Sequence, residues 1–491
     1  MHKWRVSMNE KCAVVGVYDA DTAALGAAEA LKVMENRGSG ATGIGGVTTE
    51  GELRYMREPG AAGDVWNDEH MAELAAWGLV AAVGHDRYAT SGRDNTHHQP
   101  AEAGVGDQQI LLGHNGNLSD TRSLALDSVF RGIRVDDVND SEMKTRAIAD
   151  RVARGASIED AVEEVFPLLT GAFSTVIVSK NRNGDPVLTA FRDRHGVRPL
   201  ALGRTAGGLM VASETRGLVA AGAEFIRDVK PGQMISISPY DYEVEERQLA
   251  DPDPKFDMFE LIYFSRPDSE FKGVPITDIR QAMGRQLAIE HADKLSSDTL
   301  VVGVPATAVP FGIGFAQQSG LEYSQVITKN PEVGRTFMAP TQALREALRE
   351  IKYLFDADKI RGRDIAFIDD SIVRNTTAAF ITRKLKSYGA RSVSVFSGSP
   401  PIRFPNFYGI DTPEQQHLVA SRKEIDAIRD DIGAAYLGYL SLDGMMQAVY
   451  GMTGEPPENF EVSCFTGQYP IPVNPVHLSR IRQPVSMQFV V

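Results

Sequence analysis

The apolar residues follow two different patterns in the two halves of the chain. In the first half, short apolar runs succeed one another with few helical patterns between them, and they predict strands at 13–18, 79–83, 110–112, 173–178, 186–191, 209–214 and 233–237. In the second half, apolar runs at 300–304, 324–327, 365–368 and 392–396 alternate with helical patterns. That alternation is typical of a doubly wound parallel sheet that binds ligands at the carboxyl ends of its strands.

A charged, proline-containing stretch between the halves is interpreted as a linker. We therefore expect a first domain at 12–245, a linker at 246–258 and a second domain with a C-terminal extension at 259–491. Residues 1–11 are polar and lack the apolar segment of a secretion signal. They are interpreted as a leader that is cleaved before Cys12.

Composition and charge narrow the classes of function. The net charge of −14 argues against a nucleic-acid or anionic-membrane surface, so a phosphate site must be a local feature. No apolar run approaches the length that spans a membrane. Two cysteines, Cys12 and Cys464, cannot form a disulfide framework, and a reducing cytoplasm is the expected location.

The strand predicted at 365–368 leads into candidate phosphate chemistry. Asp369 and Asp370 stand at its end, and a short turn then brings Thr376 and Thr377 to the start of a helix. The free N–H groups and positive end of a helix N-terminus favour a phosphate. The paired carboxylates can accept hydrogen bonds from ribose hydroxyls or hold Mg²⁺ with its waters. The stretch therefore predicts a phosphoribose site, against the plainer interpretation of a capped helix after two solvated acids.

The run DDSIVRNTT at 369–377 resembles the signature of type I phosphoribosyltransferases, in the form found in glutamine phosphoribosylpyrophosphate amidotransferases. The resemblance implies that further members of the run also bind the phosphoribosyl group, namely Ser371, Arg374 and Asn375. The sequence KNPEVGRTF at 329–337 resembles a basic loop that closes over pyrophosphate and excludes water. The residues implied at the pyrophosphate are Thr307, Lys329 and Arg335.

Cys12 opens the first predicted strand, where a cysteine is by default a small core residue. Once the leader is removed, its α-amine has an unperturbed pKa of about 7.7–8.0 and can serve the thiol as general base. The motifs GHDRYATSG at 84–92, GHNGN at 113–117 and NDSE at 139–142 follow in order. With Arg37 and Gly38 they resemble the class II glutamine amidotransferase domain, an N-terminal-nucleophile hydrolase. That resemblance implies an α+β sandwich of αββα layers.

The same resemblance implies roles for the matching residues. Cys12 is the nucleophile that attacks the side-chain amide of glutamine, and Asn115 and Gly116 donate hydrogen bonds to the resulting oxyanion. Three further residues are implied in glutamine binding: Arg37, Arg87 for the α-carboxylate and Asp140 for the α-ammonium group.

The resemblance to the amidophosphoribosyltransferase family covers essentially the whole chain. FELIYFSRPDS at 259–269 matches the interdomain segment of the family, which implies that Tyr263 lies near the nucleophile. PPIRFPNFYGID and SCFTGQYP resemble the branch that carries a four-iron cluster, which needs four thiolates. At the places where that branch has cysteine, this chain is interpreted as having Met258, Asn406, Glu461 and a single Cys464, so no iron-sulfur cluster is expected.

The family resemblance implies glutamine-dependent formation of 5-phosphoribosylamine from phosphoribosyl pyrophosphate, the entry to purine synthesis. It also implies Mg²⁺, a homo-oligomer (tetramer or dimer) and purine nucleotide regulators. The chain departs from the family at phosphate-binding positions, which are Ala306, Ala308, Glu332 and Asn375. Two alternatives therefore stay open: an amidotransferase of specialised metabolism with a different phosphosugar or activated acceptor, and a non-catalytic regulator that binds phosphosugar or nucleotide.

Overall fold

The computed structural model of the protein describes residues 12–87, 98–104, 108–238, 244–330, 351–410, 412, 414–482 and 484. No helix in these ranges is both long enough and apolar enough to cross a lipid bilayer.

Two antiparallel sheets form the centre of the N-terminal half. The seven-stranded sheet has the order β11-β9-β10-β1-β4-β2-β3, and the six-stranded sheet has the order β13-β12-β8-β7-β6-β5. The strands are β1 Cys12–Asp19, β2 Ala41–Thr48, β3 Leu53–Pro59, β4 Leu79–Arg87, β5 Ala101–Ala103, β6 Ile110–Asp120, β7 Thr170–Lys180, β8 Pro186–Arg192, β9 Ala201–Arg204, β10 Gly208–Ala212, β11 Glu224–Asp228, β12 Gln233–Ile237 and β13 Val244–Gln248.

Three apolar clusters divide this half into four layers. One cluster, which includes Val14 and Val176, lies between the two sheets. The other two lie between each sheet and its helices, as the alternation of side chains along a strand requires. The helices are α1 Ala23–Val33, α2 Ala62–Val65, α3 Asp68–Ala76, α4 Arg122–Phe130, α5 Asp140–Ala153, α6 Ile158–Val165 and α7 Thr215–Ala220, with a 3₁₀ turn at Phe166–Leu168. The predicted αββα sandwich is therefore confirmed.

A five-stranded parallel sheet of order β18-β17-β21-β22-β23 forms the centre of the C-terminal half. Short two-stranded ladders accompany it. The strands are β14 Phe256–Asp257, β15 Glu270–Phe271, β16 Val274–Pro275, β17 Leu300–Gly303, β18 Glu322–Tyr323, β19 Ile327–Lys329, β20 Tyr353–Phe355, β21 Asp364–Asp369, β22 Ser392–Ser397, β23 Tyr436–Tyr439 and β24 Phe460–Glu461.

Helices cover both faces of the parallel sheet, as in the predicted doubly wound α/β fold. Successive residues of β21 alternate between two cores: Ala366 and Ile368 face one, and Ile365 and Phe367 face the other. The helices are α8 Ile276–His291, α9 Val309–Ser319, α10 Ala357–Ile360, α11 Thr376–Ser387, α12 Val419–Arg422, α13 Ile425–Ile432, α14 Leu442–Thr453, α15 Ser463–Thr466 and α16 Pro475–Leu478. A π-helical turn lies at Glu260–Phe264, and 3₁₀ turns lie at Ala292–Lys294, Gln415–His417 and Pro457–Asn459.

Several predicted boundaries differ from the structure. The strand predicted at 324–327 is wrong: β18 lies at Glu322–Tyr323, and β19 pairs with β20 outside the parallel sheet. The strand predicted at 110–112 continues as β6 to Asp120, so the Asn-Gly pair lies within a strand. The linker predicted from 246 overlaps β13, which pairs with β12 through Gln248 and so belongs to the six-stranded sheet.

A buried polar cluster lies at the positions that were expected to match the cysteines of the iron-sulfur branch. The parallel pair β14–β24 sets Asp257 opposite Glu461, and the Asn406 amide donates to Glu461 (3.3 Å). Burial raises the pKa of the Cys464 thiol, and the nearby carboxylates of Glu461 and Asp257 raise it further. Met258 was the wrong residue, because it points into the apolar core and Asp257 faces the cluster. One thiol with two carboxylates and an amide does not fit a four-iron cluster.

This cluster predicts a pH dependence of stability. Burial raises the pKa of Asp257 to about 8 and also raises that of Glu461. The folded state keeps these protons at pH values where the unfolded chain has lost them. The contribution of these groups to the free energy of unfolding is therefore fully present below about pH 4 and is lost as the pH rises to about 8. The melting temperature of the Asp257→Asn variant should fall less steeply than that of the parent between pH 5 and 8.5. The control is Asp253→Asn, at a half-exposed position; equal slopes for the parent and Asp257→Asn would contradict this account.

Candidate active sites

The first predicted site is built on the ends of neighbouring strands. Cys12 is the first residue of β1, is buried, and stands opposite Arg87 in the β1–β4 ladder. Arg87 also stands opposite Ala41 on β2. The predicted nucleophile and the predicted carboxylate-binding residue are therefore neighbours across a ladder. The leader lies outside the described residues, as does the rest of the GHDRYATSG motif after Arg87.

Asn115 and Gly116 reach this place from the opposite sheet. The buried hydroxyl of Ser213 accepts a hydrogen bond from the backbone N–H of Val14 (3.0 Å) and lies 3.4 Å from Nδ2 of Asn115. Ser213 thus ties the Asn115 amide to the strand that begins with Cys12. Sequence reasoning missed Ser213, which lies 199 positions from Val14 and belongs to no local motif.

Glycine is required at position 116. Its φ is +142°, and a Cβ atom there would lie 2.0 Å from the carbonyl oxygen of Ala172 on β7. The C-terminal segment also packs closely here, because the Cβ of a residue at 409 would lie 3.0 Å from the Cα of Gly116. Close packing of three backbone segments therefore fixes the predicted oxyanion residue.

Asp140 is held at the start of α5, next to β6. Its carboxylate accepts hydrogen bonds from the backbone N–H groups of Leu118 (2.9 Å) and Ser141 (2.8 Å). Asn139 and Glu142 form a reciprocal capping box at the start of this helix. Burial raises the pKa of Asp140, while Lys144 opposes that shift. A bound ammonium group would stabilise the same carboxylate in its charged form.

Arg37, predicted to bind glutamine, already has carboxylate partners. Its guanidinium is buried and donates to Glu214 (Nε to Oε1, 2.6 Å) and to both carboxylate oxygens of Glu260. Each of its three guanidinium nitrogens therefore donates to a carboxylate, and a role in glutamine binding stays a prediction.

The second predicted site is a cavity of about 420 Å³ at the carboxyl ends of the parallel strands. All the predicted phosphoribosyl residues line it, and so do Thr307, Lys329 and Tyr263. Further lining residues that sequence reasoning missed are Phe259, Phe264, Lys352 and Tyr353. Lys352 and Tyr353 come to the cavity with β20, which pairs with β19 beside Lys329, and no local motif marks them. Arg335 and Glu332 lie outside the described residues.

The two aspartates stand side by side at the end of β21. The Asp370 backbone N–H donates to Asp369 (3.1 Å), and the Ser371 hydroxyl donates to Asp370 (2.9 Å). Burial, and after it the neighbouring charge of Asp370, raises the pKa of Asp369 well above its ordinary value. A cation or a set of hydroxyl donors in the cavity would relieve this repulsion.

The turn predicted to bind phosphate enters the left-handed region at Asn375, one of the positions where the chain departs from the family. Asn375 is the residue before α11 and adopts φ +57°, ψ −3°, in the left-handed region. Asparagine enters this region more readily than most residues with a side chain. Its amide donates to Asp431 (3.4 Å), away from the first N–H groups of α11. The helix start predicted at Thr376 is confirmed.

Comparison with known proteins supports the domain types predicted for both halves of the chain. A glutamine amidotransferase domain model matches residues 85–220. The amidophosphoribosyltransferase of Mycobacterium leprae is 36% identical over 482 residues, covering 95% of this chain and 83% of that protein. The Archaeoglobus fulgidus amidophosphoribosyltransferase is 34% identical over 466 residues, covering 94% and 98% respectively. The chain belongs to the amidophosphoribosyltransferase family.

Solved structures agree with that assignment. The allosteric regulatory enzyme of purine biosynthesis matches with a TM-score of 0.84 at 31% identity, covering 94% of this chain and 97% of that one. The Bacillus subtilis glutamine phosphoribosylpyrophosphate amidotransferase, complexed with ADP and GMP, matches with a TM-score of 0.83 at 31% identity, covering 94% and 98%. The chain is therefore an enzyme of the glutamine-dependent transferase class, with an N-terminal-nucleophile hydrolase domain followed by a phosphoribosyltransferase domain.

The conformation of Asn375 predicts the effect of replacing it. Asn375→Gly should leave the affinity for phosphoribosyl pyrophosphate within about threefold of the parent, because the turn is already formed. Asn375→Val should weaken it roughly fivefold or more, since a β-branched residue disfavours positive φ. Titration calorimetry with Mg²⁺ present measures both affinities. A tenfold gain in Asn375→Gly would instead mean that the asparagine side chain obstructs the phosphate.

Proposed function

We propose that the protein is an amidophosphoribosyltransferase that converts phosphoribosyl pyrophosphate and glutamine to 5-phosphoribosylamine, pyrophosphate and glutamate. The observation that supports this most directly is the joint occurrence, in one chain, of two sites. Cys12 stands opposite Arg87, and Asn115 is joined through Ser213 to the strand that Cys12 begins. A separate cavity is lined by the paired aspartates and the start of α11. The reaction takes place in the cytoplasm, as the first step of purine synthesis.

In the glutaminase domain, Cys12 is the nucleophile after removal of the leader. Its sulfur attacks the side-chain amide carbon of glutamine while the new α-amine accepts the thiol proton. The Asn115 amide and the Gly116 N–H stabilise the oxyanion, and one such donor typically changes the rate by ~10²–10³. Collapse of the intermediate breaks the C–N bond and releases ammonia. Water then hydrolyses the thioester to glutamate.

Glutamine is oriented by charges at its other end. Arg87 binds the α-carboxylate, and Asp140 binds the α-ammonium group in competition with the two backbone donors that it already has. Arg37 was also predicted to take part in this binding, and its guanidinium already pairs with Glu214 and Glu260.

In the transferase domain, ammonia attacks C1 of the phosphoribosyl group. The C1–O bond to pyrophosphate breaks, and the nitrogen loses a proton. Asp369 and Asp370 hold the ribose hydroxyls, while the turn from Ser371 to Thr377 and the first N–H groups of α11 bind the 5-phosphate. Thr307, Lys329 and Arg335 bind the pyrophosphate. Tyr263 lines the same cavity.

The carboxylate pair fits the Mg²⁺ that the family implies. No three His, Cys, Asp or Glu side chains converge on a metal position within the described ranges. Mg²⁺ usually keeps several waters and binds one or two carboxylates together with substrate phosphates. Asp369 and Asp370 would hold it in this way, and it would offset the charge of the leaving pyrophosphate.

The proposal extends to assembly and regulation. The related B. subtilis enzyme was solved with ADP and GMP. We accordingly propose purine nucleotides as regulators of this protein, and a homo-oligomer, a tetramer or a dimer, as its assembled state.

Coupled product release tests the proposed reaction. Given glutamine, phosphoribosyl pyrophosphate and Mg²⁺, the purified protein should release glutamate and pyrophosphate in equal amounts. Separate assays of each product over the same time course measure this. Glutamate release that ignores the sugar would indicate a different acceptor. Absence of both products would indicate the non-catalytic regulator.

The role of Cys12 is tested with a matched cysteine. Cys12→Ala should lose glutamine-dependent activity by at least ~10³-fold while ammonia-dependent transfer persists, because the transferase cavity is separate. The control Cys464→Ala changes the buried thiol of the polar cluster and should keep both activities. Mass spectrometry of the active protein should find Cys12 at its amino terminus. Retention of residues 1–11 in a protein that hydrolyses glutamine would refute this mechanism.

A further inference from the structure

A fully buried lysine, Lys144 of α5, packs against the strand ladder that carries the predicted oxyanion residue. Its Nζ donates to the hydroxyl of Thr175 (2.8 Å) and lies 5.0 Å from the centre of the Phe173 ring. Thr175 and Phe173 belong to β7, where they stand opposite His114 and Gly116 of β6. A charged group at this depth is retained in proteins when hydrogen bonds and an opposite charge offset its loss of water. The proposed mechanism gives Lys144 no part.

An opposite charge stands one helical turn away on the same face of α5. Asp140 precedes Lys144 by four residues, and both side chains are buried. Asp140 is the carboxylate proposed to bind the α-ammonium group of glutamine. Burial raises its pKa and Lys144 lowers it. Because a protonated acid cannot form an ion pair with an ammonium group, Lys144 opposes the protonation that burial favours.

The other groups around Asp140 do not supply this positive charge. His114 faces it from β6 (Nδ1 to Oδ2, 3.8 Å), but burial and the charge of Lys144 hold the pKa of His114 well below its ordinary value, so the ring is neutral. Charged residues on the elements packed around α5 have other partners: Glu142 the Asn139 N–H, Glu102 of β5 the Gln109 amide, Asp120 of β6 Arg122, Asp127 of α4 Arg131 and Arg151, and Glu164 of α6 Arg151.

We propose that Lys144 is a positioning residue whose charge keeps the Asp140 carboxylate ionised while the glutamine site is empty. The site then accepts an α-ammonium group throughout the neutral pH range without first losing a proton. Once Asp140 is ionised, the same charge has a smaller and opposite effect, because it repels the ammonium group of the substrate. Lys144 therefore favours glutamine binding at low pH and weakens it at high pH. This inference rests on the proposed function.

The test replaces Lys144 with neutral residues. Lys144→Met keeps an unbranched apolar side chain and removes the charge. Lys144→Gln also removes the charge but can still hydrogen-bond to Thr175, so it provides the same test if the methionine variant does not fold. Lys144→Arg keeps the charge. The control Lys180→Met makes the same chemical change at the far end of β7, where the lysine donates to the carbonyl of Gly51 (3.0 Å).

The quantity to measure is the KM for glutamine of each variant divided by that of the parent, from about pH 5.5 to about pH 8.5. In Lys144→Met and Lys144→Gln this ratio should rise roughly fivefold or more as the pH falls, because Asp140 then holds a proton that it must lose. At the high end of the range the ratio should be one or less. Lys144→Arg and Lys180→Met should give ratios that do not change with pH.

A structural role for Lys144 would not produce this profile, because a distorted site raises KM at every pH. A ratio that is independent of pH in both neutral variants would therefore overturn the proposal, whatever its size. The kcat for glutamine hydrolysis should stay within about threefold of the parent, since the charge acts on binding of the ammonium group.

A ligand without the ammonium group isolates the cause. 4-Carbamoylbutanoate has the amide and the carboxylate of glutamine but no α-amine. Its inhibition constant in Lys144→Met, divided by that in the parent, should stay constant or fall as the pH falls, because this ligand does not need the Asp140 charge. A rise as large as that for glutamine would overturn the proposal, since Lys144 would then act on another part of the site.

Asp140→Asn separates this inference from the proposed function. If Asp140 binds the ammonium group, this variant should raise the KM for glutamine roughly tenfold or more at every pH, because a charge-assisted contact is lost. An unchanged KM would refute the proposed role of Asp140 in glutamine binding. A raised KM in Asp140→Asn, together with a ratio independent of pH in the neutral Lys144 variants, would refute the role of Lys144 alone.

Discussion

Burial of charge between the two domains is the constraint on which the rest of the structure depends. Arg37 and Arg198 from the glutaminase domain enclose Glu260, and Glu214 completes the pairing of Arg37. Removing one partner of such a buried pair typically lowers the free energy of unfolding by about 3–5 kcal/mol, because the other charge stays unpaired in the protein interior. The contact therefore favours the docked arrangement in which each of these charges is paired.

Arg198 extends this constraint to the C-terminal segment. Its guanidinium also pairs with Asp257 (3.1 Å) and donates to the carbonyl oxygen of Tyr408 from Nε (3.0 Å) and Nη2 (2.7 Å). The neighbouring Gly409 packs against Gly116, and Asn117 donates to the carbonyl of Phe407. One arginine thus positions three segments: the turn beside the transferase cavity, the strand pair that holds Asp257, and the loop that covers the predicted oxyanion residue.

The sequence predicted the parts of the fold that local patterns determine. Alternation of apolar residues located most strands, and the order of strand, acidic pair and capped helix located the transferase cavity. The strand predicted at 110–112 was too short because the apolar run ends there, whereas the ladder between β6 and β7 continues through Gly116, which stands opposite Phe173. The sequence does not show that β14 ends at Asp257, which faces Glu461, and that Met258, just after the strand, lies in the apolar core.

No local sequence pattern predicts pairs of polar groups that are distant in the chain. Arg37 and Glu260 are 223 positions apart, and neither residue in isolation indicates its partner. Ser213 was missed for the same reason, and Lys352 and Tyr353 reach the cavity only through the pairing of β20 with β19. The sequence indicated the chemistry of each site. The contacts that join the two sites are visible only in the packing of the domains.

The cover of Gly116 by the C-terminal segment has a consequence for biosynthesis. Asn117 and Phe407 are 290 positions apart, so at ordinary translation rates the ribosome adds the covering loop roughly 15 to 60 s after β6. During that interval the glutaminase half of a nascent chain lacks one wall of its site. The predicted hydrolytic centre is completed only after four of the five strands of the parallel sheet have been synthesised.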